Sequence, residues 1–323
     1  MLSWDYSRAF DRIDHVMLLQ KLADYGFPDN FVSFIADYIS DRFQAVKYGD
    51  AVSEYLPVSS GVPQGSVLGP ALFCVFASTL CSRDELTEMV KYADDTQTLS
   101  LIRKGNIKSD IQKVINCINN VRQWSKDNQL SLNNEKTKAV ILRRSKCATF
   151  TMKDIDASIC EVDVLKILGV TFNNSLTWSN HVNDIVANCS RRLHAIRLLR
   201  HNLSKADIQK VYNAMVLNKI EYCAPLFVST AAWADNKFDR IQQRFHRIKC
   251  GIYCKECDCL ISLKKRRIQL ATKLWNKITP GHLLHCLRPS ILTHSGQFNV
   301  EHSNTERRAR AFVPYMTIHM NNL

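Results

Sequence analysis

The stretch Tyr92-Ala-Asp-Asp95 places two adjacent carboxylates at the predicted turn of a β-hairpin that spans residues 89–101. A third carboxylate, Asp5, ends a predicted strand and heads the run Asp5-Tyr-Ser-Arg-Ala-Phe-Asp11. Between them lies the glycine-rich stretch Ser60-Gly-Val-Pro-Gln-Gly-Ser-Val-Leu-Gly-Pro70. Two aspartates at one tight turn can both reach toward one site, and Asp5 can approach it from a neighbouring strand.

This combination of residues fits metal-assisted phosphoryl transfer to a polynucleotide. Such a reaction is an in-line displacement in which positioning and electrostatics dominate. Three carboxylates can hold two Mg²⁺ ions, with Mn²⁺ as the alternative ion, and glycines let a loop lie close against a nucleotide. An aspartate pair alone is typical of a solvated turn, but Asp5 and the Pro-Gln-Gly loop together favour the catalytic interpretation.

Charge is unevenly distributed along the 323 residues, whose net charge is +13. Residues 1–100 contain 7 Lys and Arg against 14 Asp and Glu, whereas residues 101–323 contain 36 against 16. An acidic part suits cation binding and a basic part suits phosphate binding. The 46% hydrophobic content allows a buried core, and the length predicts about two domains.

Hydrophobic periodicity predicts an α+β chain with a boundary near Leu176. In residues 1–176 we expect an antiparallel sheet with packed helices, and in residues 177–323 only helices. Strands are predicted at 2–6, 89–101 (as a hairpin), 139–143 and between 149 and 172, with a further hairpin at 43–58. Helices are predicted at 15–25, 30–41, from Pro70 with Gly69 as the cap, at 107–124, 182–196, 205–219, 233–249 and 263–278.

The twelve cysteines and the absence of a secretory leader predict an intracellular chain with reduced thiols, in the nucleus or cytoplasm. No apolar stretch is long enough to span a bilayer, so no membrane partner is expected. One loose cluster contains His246, Cys250, Cys254, Cys257 and Cys259. Its spacing matches no common zinc finger, so incidental reduced cysteines are favoured over a zinc site.

A basic run, Lys264-Lys-Arg-Arg267, lies just after this cluster. We favour a nucleic-acid-facing or solvated helix patch over a localisation signal, and such a run can serve as either.

The three quoted motifs resemble, in order and spacing, the motifs lettered A, B and C of reverse transcriptases. Downstream stretches resemble the LINE-type (non-LTR) retrotransposon class, with a jockey-like character. They are Leu130-Ser-Leu-Asn-Asn-Glu-Lys-Thr-Lys138, Leu168-Gly-Val-Thr-Phe-Asn-Asn-Ser-Leu-Thr-Trp178 followed by His181, and the closing 312–323. Group II intron and telomerase-like reverse transcriptases are the alternatives, and the motif B loop and the 130–138 stretch fit the LINE class better.

The resemblance implies a right-hand polymerase palm over residues 1–176, followed by a helical thumb and C-terminal region over 177–323. The implied function is RNA-directed DNA polymerase, with an RNA template, a DNA primer and deoxynucleoside triphosphates as partners. The stretch Leu168-Gly-Val170 would be the primer grip. Basic helices after Trp178 would hold the template–primer duplex by its phosphates.

The resemblance also implies roles for individual residues. Asp5, Asp94 and Asp95 would bind Mg²⁺, with Asp11 in a supporting role. Phe10 would lie under the incoming sugar and disfavour a 2′-hydroxyl, with simple packing as the alternative. The nucleotide would be contacted by Gln64, Gly65 and Tyr92. Lys136 would protonate the departing pyrophosphate, with Lys138 or a plain surface lysine as alternatives.

Complete members of this class have a fingers region before the first catalytic aspartate, and a nuclease upstream of that. Because Asp5 lies four residues after Met1, we expect both regions to be missing from this chain. Two hypotheses therefore stand: a reverse transcriptase palm and thumb, or a truncated, catalytically inactive retroelement relic that binds nucleic acid only.

Overall fold

A computed structural model describes residues 1–142, 150–228, 232–251 and 262–279, together with Met316. The chain divides into two units. Met1–Gly169 and Asn173–Leu176 form the first, here called the sheet unit, and Val170–Phe172 and Thr177–Leu323 form the second, the helical unit. The fold is mixed α and β, because the first unit combines a sheet with helices whereas the described elements after Leu176 are helical.

The sheet unit begins with a strand and a pair of helices. Its elements in chain order are β1 (Leu2–Trp4), α1 (His15–Asp24), α2 (Asp29–Ile39), β2 (Phe43–Gln44), β3 (Lys47–Tyr48), β4 (Ala51–Val52), β5 (Leu56–Pro57), α3 (Leu68–Ala77), β6 (Thr87–Tyr92), β7 (Asp95–Ser100), α4 (Ile107–Asp127), β8 (Lys138–Ala139), α5 (Met152–Ile155), β9 (Cys160–Glu161) and β10 (Val164–Ile167). The strand β11 (Val170–Asn173) follows at the division.

Five strands form the main sheet in the order β6-β7-β1-β8-β9. The short strand β1 is central, with Leu2 paired to Thr98 of β7 on one side and to Ala139 of β8 on the other. These pairings and that of β6 with β7 are antiparallel, as predicted, whereas β8 and β9 are parallel. The predicted antiparallel sheet is therefore wrong at this edge.

Helices cover the apolar side chains of the sheet unit in two clusters. Against Leu2 and Trp4 of the central strand lies the buried stripe of α4, with Val114, Ile118 and Val121. A second cluster joins α1, α2 and α3; it contains Tyr6, Ile13, Leu18, Leu22, Ile35, Ile39, Leu72, Phe73 and Phe76. Burying each large side chain contributes about 1.5–3 kcal/mol, so this packing fixes β1, which Asp5 follows, and α3, which follows the glycine-rich loop.

Helix α3 begins two residues before its predicted start. Val67 is the N-cap residue, and the Ser66 hydroxyl accepts a hydrogen bond from the Gly69 amide at 2.9 Å. The prediction that Gly69 is the cap residue is therefore wrong. Pro70 still fits in the first turn, because amides there have no partner within the helix and a missing N–H costs nothing.

Two of the predicted strand segments are shorter or different. Strand β8 ends at Ala139, and Arg143 lies outside the described residues. Within 149–172, residues Met152–Ile155 form a helical turn, because Thr151 and Asp154 make a reciprocal capping box. The hairpin predicted over 43–58 is present as two nested pairs, β2 with β5 and β3 with β4.

The helical unit contains α6 (Ser179–Leu199), α7 (Lys205–Tyr212), α8 (Asn218–Glu221), α9 (Ala232–Cys250) and α10 (Leu263–Lys277). A π-helical turn, Asn213–Leu217, joins α7 to α8, so the helix predicted over 205–219 is interrupted. In its core the rings of Tyr212 and Phe245 stack with centroids 3.6 Å apart. Buried around them are Val182, Ile185, Cys189, Leu193, Ile196, Ile208, Val216, Ile220, Phe227, Phe238 and Ile241.

The basic run at 264–267 is only partly a solvated patch. Lys264 and Lys265 are exposed, but Arg266 forms an ion pair with Glu221. Arg267 is 1% exposed, pairs with Asp235, and lies with its guanidinium 5.0 Å from the centre of the Phe238 ring. The prediction is wrong for Arg267, since the sequence run does not reveal the tertiary partner that draws this charge into the core.

The cysteine cluster falls mostly outside the described residues. Cys250 is half-buried at the end of α9, and His246 is half-buried one turn earlier. Cys254, Cys257 and Cys259 lie in the undescribed stretch, as do residues 312–315 and 317–323 of the closing motif. Among the helices that are described, none is long and apolar enough to cross a membrane.

Candidate active site at the carboxylate edge of the sheet

Asp5 follows the central strand β1 directly. Trp4 of this strand is buried, at 2% exposure, and anchors the strand in the core. Its indole N–H donates a hydrogen bond to the Thr98 hydroxyl at 3.2 Å. The Asp5 carbonyl accepts from the Asn133 amide at 2.8 Å, and the Asp5 amide lies 3.4 Å from the Thr137 hydroxyl oxygen. The backbone of Asp5 is thus held by the 133–137 segment, which fixes where its carboxylate emerges.

The second pair of carboxylates lies on the neighbouring hairpin. Tyr92 pairs with Asp95 across β6 and β7, so the predicted hairpin is present, but its two-residue turn is Ala93 and Asp94, and Asp95 is the first residue of β7. Since Trp4 pairs with Thr96, Asp95 lies at the same end of the sheet as Asp5. We call Asp5, Asp94 and Asp95 the carboxylate edge.

Ala93 adopts a left-handed conformation, with φ of 52°. A side chain in this region costs about 1–2 kcal/mol relative to ordinary backbone, and hairpin turns of this kind favour glycine here. Backbone strain of this kind clusters at functional sites, where the surrounding structure maintains it. The turn that contains Asp94 therefore keeps a backbone conformation that alanine at position 93 disfavours.

Mutual repulsion marks the electrostatics of the carboxylate edge. Partial burial raises the pKa of the Asp95 carboxyl, and the charges of Asp94 and Asp5 raise it further. One cation lies close by, because the Lys136 ammonium is 3.8 Å from the Asp5 carboxylate. Both side chains remain open to solvent, at 70% and 36% exposure, so this ion pair is screened and weak.

The glycine-rich loop packs against the turn that follows Asp5. Gly61 has φ of 88°, and a Cβ there would lie 2.7 Å from Asp11 Cα, so only glycine fits. The Gly61 amide donates to the Ile13 carbonyl at 2.7 Å and the Val62 amide to the Phe10 carbonyl at 2.8 Å. These bonds fix the loop beside the motif that begins at Asp5.

Beyond this anchor the loop turns outward. Gln64 is exposed, and its amide donates to the Asp11 carboxylate at 2.7 Å. Gly65 has φ of 81°, and a Cβ there would meet no atom within 4 Å. Asp11 thus orients Gln64, and its supporting role at the site stays a prediction.

A cleft of about 420 Å³ lies between the loop, the turn after Asp5 and the hairpin turn. Its lining residues are Tyr6, Arg8, Ala9, Phe10, Pro63, Gln64, Gly65, Pro70 and Asp94. The fold therefore brings together four residues of the predicted site: Phe10, Gln64, Gly65 and Asp94. Phe10 also packs on Phe73, with ring centroids 4.9 Å apart, so a packing role accompanies any contact with a ligand.

The other four predicted residues do not line the cleft: Asp5 and Asp95 belong to the carboxylate edge, and Tyr92 and Lys136 lie near it. Tyr92 closes the β6–β7 hairpin and is 66% exposed. Lys136 reaches Asp5 from the segment before β8, whereas its alternative, Lys138, lies within β8 opposite Ser3. The geometry thus favours Lys136 over Lys138 as the lysine of this site.

The carboxylate edge has the donor chemistry for a hard divalent cation, because carboxylate oxygens are the ligands that Mg²⁺ prefers. In the part of the chain that the structure describes, no three His, Cys, Asp or Glu side chains already converge at metal-binding distances. The charges of Asp94 and Asp5 both act on the Asp95 carboxyl, so the three carboxylates lie within electrostatic range of one another. That arrangement fits an ion held jointly by protein and substrate phosphates.

Sequence reasoning missed two kinds of residue around this site. Arg8 lines the cleft, and its place within the first motif gave no separate signal. Lys21 donates to the Phe76 carbonyl at 2.7 Å, and Lys91 donates to the Ala77 carbonyl at 2.8 Å. Burial lowers the pKa of Lys21 to about 8, with the Lys91 charge lowering it further. These lysines hold the last carbonyls of α3, a contact that only the tertiary fold reveals.

The chain is similar to several known proteins. A family described as reverse transcriptase (RNA-dependent DNA polymerase) matches residues 1–172. The RNA-directed DNA polymerase from mobile element jockey of Drosophila melanogaster is 30% identical over 56% of this chain and 20% of its own length. The jockey polymerase of Drosophila funebris is 24% identical over 86% of this chain and 32% of its own length.

A further relative is the probable RNA-directed DNA polymerase from transposon X-element of Drosophila melanogaster, 26% identical over 56% of this chain and 20% of its own length. This chain spans about a fifth of the first relatives it matches. A solved telomerase from Candida tropicalis, in complex with a fragment of telomeric RNA, covers 83% of this chain and 48% of its own, with 12% identity and a TM-score of 0.38. That TM-score is too low to support an argument about the fold.

The family match covers all three motifs and more than half of the chain. With the jockey and X-element relatives it places the chain in the reverse transcriptase (RNA-dependent DNA polymerase) family, in its LINE-type, non-LTR retrotransposon class.

Proposed function

We propose that this chain catalyses RNA-templated DNA synthesis at the carboxylate edge. The observation that carries the proposal is the cleft, which joins Asp94 to Phe10, Gln64 and Gly65 beside Asp5 and Asp95. Its size, about 420 Å³, is in the range of small-molecule sites and suits one nucleotide.

Asp5, Asp94 and Asp95 would hold divalent metal, Mg²⁺ or in its place Mn²⁺. When bound, the metal supplies Lewis-acid stabilisation of charge on the transferring phosphoryl group and lowers the pKa of the primer 3′-hydroxyl. Bringing three carboxylates together costs free energy in the empty site, as the raised pKa of Asp95 indicates. A cation relieves that repulsion, so the empty arrangement is already biased toward metal binding.

The remaining residues of the cleft would position the nucleotide and move a proton. Phe10, fixed by its packing on Phe73, would lie under the sugar and limit space for a 2′-hydroxyl. Gln64, held by Asp11, and Gly65 would contact the nucleotide with little side-chain bulk. Lys136, 3.8 Å from Asp5, would protonate the departing pyrophosphate as a general acid.

We further propose that residues 1–176 are a polymerase palm and that residues 177–323 are a thumb. The helical unit offers a basic seam between α6 and α9. Lys237 donates to Asn183 at 2.5 Å and Arg244 to Ser190 at 3.1 Å, which sets cations along the line where the two helices meet. Such a seam suits the phosphates of a template–primer duplex, a binding mode that is insensitive to sequence and sensitive to salt.

The proposal is tested by primer extension on an RNA template with a DNA primer, Mg²⁺ and deoxynucleoside triphosphates. The purified 323-residue chain is compared with Asp94→Asn/Asp95→Asn and with a control, Glu88→Gln, an exposed carboxylate on β6 of the same hairpin. We expect extension by the chain and by the control but not by the double variant. Equal extension by the double variant would refute the metal assignment.

The same assay addresses the alternative of an inactive relic. A chain that extends no primer, yet binds RNA with an affinity that falls steeply with salt, would be a nucleic-acid-binding remnant. This result would overturn the catalytic proposal while leaving the family assignment in place.

A further inference from the structure

Arg8 is the cationic side chain of the cleft. Among the nine lining residues the charged ones are Arg8 and Asp94, and the others are apolar or neutral. Arg8 is exposed, whereas the next residue, Ala9, is 3% exposed and packs in the core. The turn therefore buries its alanine and presents its arginine to the cleft.

An unusual backbone conformation places Arg8 there. Its φ of 53° and ψ of 49° are left-handed, a conformation that is unfavourable for any residue with a β-carbon. The Asp11 amide donates to the Arg8 carbonyl at 3.0 Å, which stabilises the turn around it. A second left-handed residue, Ala93, directly precedes Asp94 of the cleft lining.

The guanidinium of Arg8 has no intramolecular partner among the residues that the structure describes. Other arginines of the sheet unit are engaged: Arg103 with Asp110 at 2.7 Å, Arg122 with Asp156 at 2.6 Å, and Arg12 with the Ser131 hydroxyl at 2.5 Å. Arg8 lies in a cleft that contains a carboxylate, yet it forms no ion pair with it. Its fork of N–H donors is available for a ligand.

A polyphosphate is the ligand that this arrangement needs. A nucleoside triphosphate brings several negative charges into a cleft that already contains Asp94, so metal at the carboxylate edge alone leaves charge uncompensated. Arginine binds phosphate through two parallel hydrogen bonds, which position the group as well as neutralise it. We propose that Arg8 binds the polyphosphate of the incoming nucleoside triphosphate; this inference rests on the proposed function of the cleft.

A template phosphodiester would offer Arg8 the same chemistry, so the test must separate the two sources. The equilibrium dissociation constants of dATP, dAMP and a single-stranded RNA are measured with Mg²⁺ for the 323-residue chain, Arg8→Gln and Arg8→Lys. Arg12→Gln is the matched control, because Arg12 is an exposed arginine four residues along and lies outside the cleft lining. Glutamine keeps a polar side chain, and because Arg8 is exposed we expect Arg8→Gln to fold like the parent chain, which circular dichroism checks.

We expect Arg8→Gln to weaken dATP binding by about 10- to 100-fold, the effect of losing charge-assisted hydrogen bonds, with little change for dAMP or RNA. The dATP affinity of Arg8→Lys is expected to lie between those of the parent chain and Arg8→Gln. The dATP affinity of Arg12→Gln is expected to match that of the parent chain. Equal weakening of RNA binding would assign Arg8 to the template and overturn the inference, as would unchanged dATP binding. Failure of the parent chain to bind dATP would overturn the proposed function itself and this inference with it.

Discussion

The carboxylate edge and the core of the helical unit treat charge in opposite ways. At the edge, three aspartates face one another with Lys136 as a screened partner, and the turn that presents Asp94 is strained at Ala93. In the helical core, the buried Arg267 is paired with Asp235 and lies over Phe238. The difference shows where stability is given up: the proposed site for cations and phosphates keeps unbalanced charge that a structural core does not tolerate.

Removing charge from the carboxylate edge, with the packed cores left unchanged, is expected to have the largest effect. Asp5→Asn keeps the shape of the side chain and the backbone hydrogen bonds to Asn133 and Thr137. We expect a loss of primer-extension rate of about 10³-fold or more, since one of the three proposed metal-binding carboxylates is gone. Circular dichroism and urea unfolding should remain close to those of the parent chain. A variant that is correctly folded and fully active would contradict the assignment of Asp5.

The reverse experiment removes packing from the helical core. Phe245 is fully buried and stacks on Tyr212, so Phe245→Ala leaves a cavity that the neighbours cannot fill. We expect the free energy of unfolding of this unit to fall by about 3–5 kcal/mol. Urea denaturation followed by circular dichroism measures it. Trp233→Ala, an exposed aromatic on α9, is the control and should change stability much less. A similar loss for both would mean that the core is not where this unit gains its stability.

The stability of the chain is expected to depend on pH through the charge of Asp95. Because the folded-state pKa of Asp95 is raised above its ordinary value of 3.8, a cost in folding free energy develops as the pH rises through 3.8 and is complete once the pH exceeds the raised value. Asp95→Asn should therefore raise the melting temperature at pH 7 in the absence of divalent ions. The gain should vanish as pH falls below about 3.8, where the carboxyl is protonated in both states.

Thermal unfolding in the presence of a chelator, at neutral and at acidic pH, measures this effect. Glu88→Gln on the same hairpin controls for the general loss of a surface charge. A melting temperature that falls at pH 7 in Asp95→Asn would mean that Asp95 is stabilised by its surroundings, and the repulsion argument would be wrong.

The smallest effect is expected at the hairpin turn. Ala93→Gly removes the side chain from a left-handed position, a gain that exceeds the greater freedom of glycine in the unfolded chain, so we expect about 0.5–1 kcal/mol of stabilisation. Ala71→Gly, in the interior of α3, is the opposite control and should destabilise by about 0.5–1 kcal/mol. Destabilisation by Ala93→Gly would show that the turn is not strained.

The sequence predicted those parts of the molecule that depend on local pattern. The helices α1, α2, α4 and α6 followed from apolar stripes, and the β6–β7 hairpin from two flanking strands, although its turn lies one residue earlier than predicted. The approach of the two outer motifs could be predicted because Asp5 and Asp95 each stand at a strand end. By contrast, the parallel pairing of β8 with β9 depends on distant residues and leaves no local signal.

Tertiary contacts explain the other differences. Nothing in the run Lys264-Lys-Arg-Arg267 distinguishes the exposed lysines from the arginine that meets Asp235 thirty-two residues earlier. Lys21 lies on a helix face with apolar neighbours, and only the position of α3 reveals the carbonyl that it caps. Arg8 was overlooked for a similar reason, because its left-handed conformation, and not its neighbours in sequence, directs it to the cleft.

We infer that Asp5, Asp94 and Asp95 form one cation site. Repulsion among the three carboxylates destabilises this site when no metal is bound. The most direct measurement is a Mg²⁺ titration of thermal unfolding for the 323-residue chain and for Asp5→Asn/Asp95→Asn, starting from metal-free protein. We predict that the double variant melts higher than the parent chain without metal, and that Mg²⁺ raises the melting temperature of the parent chain only. Equal stabilisation of both proteins by Mg²⁺, or of neither, would contradict the claim.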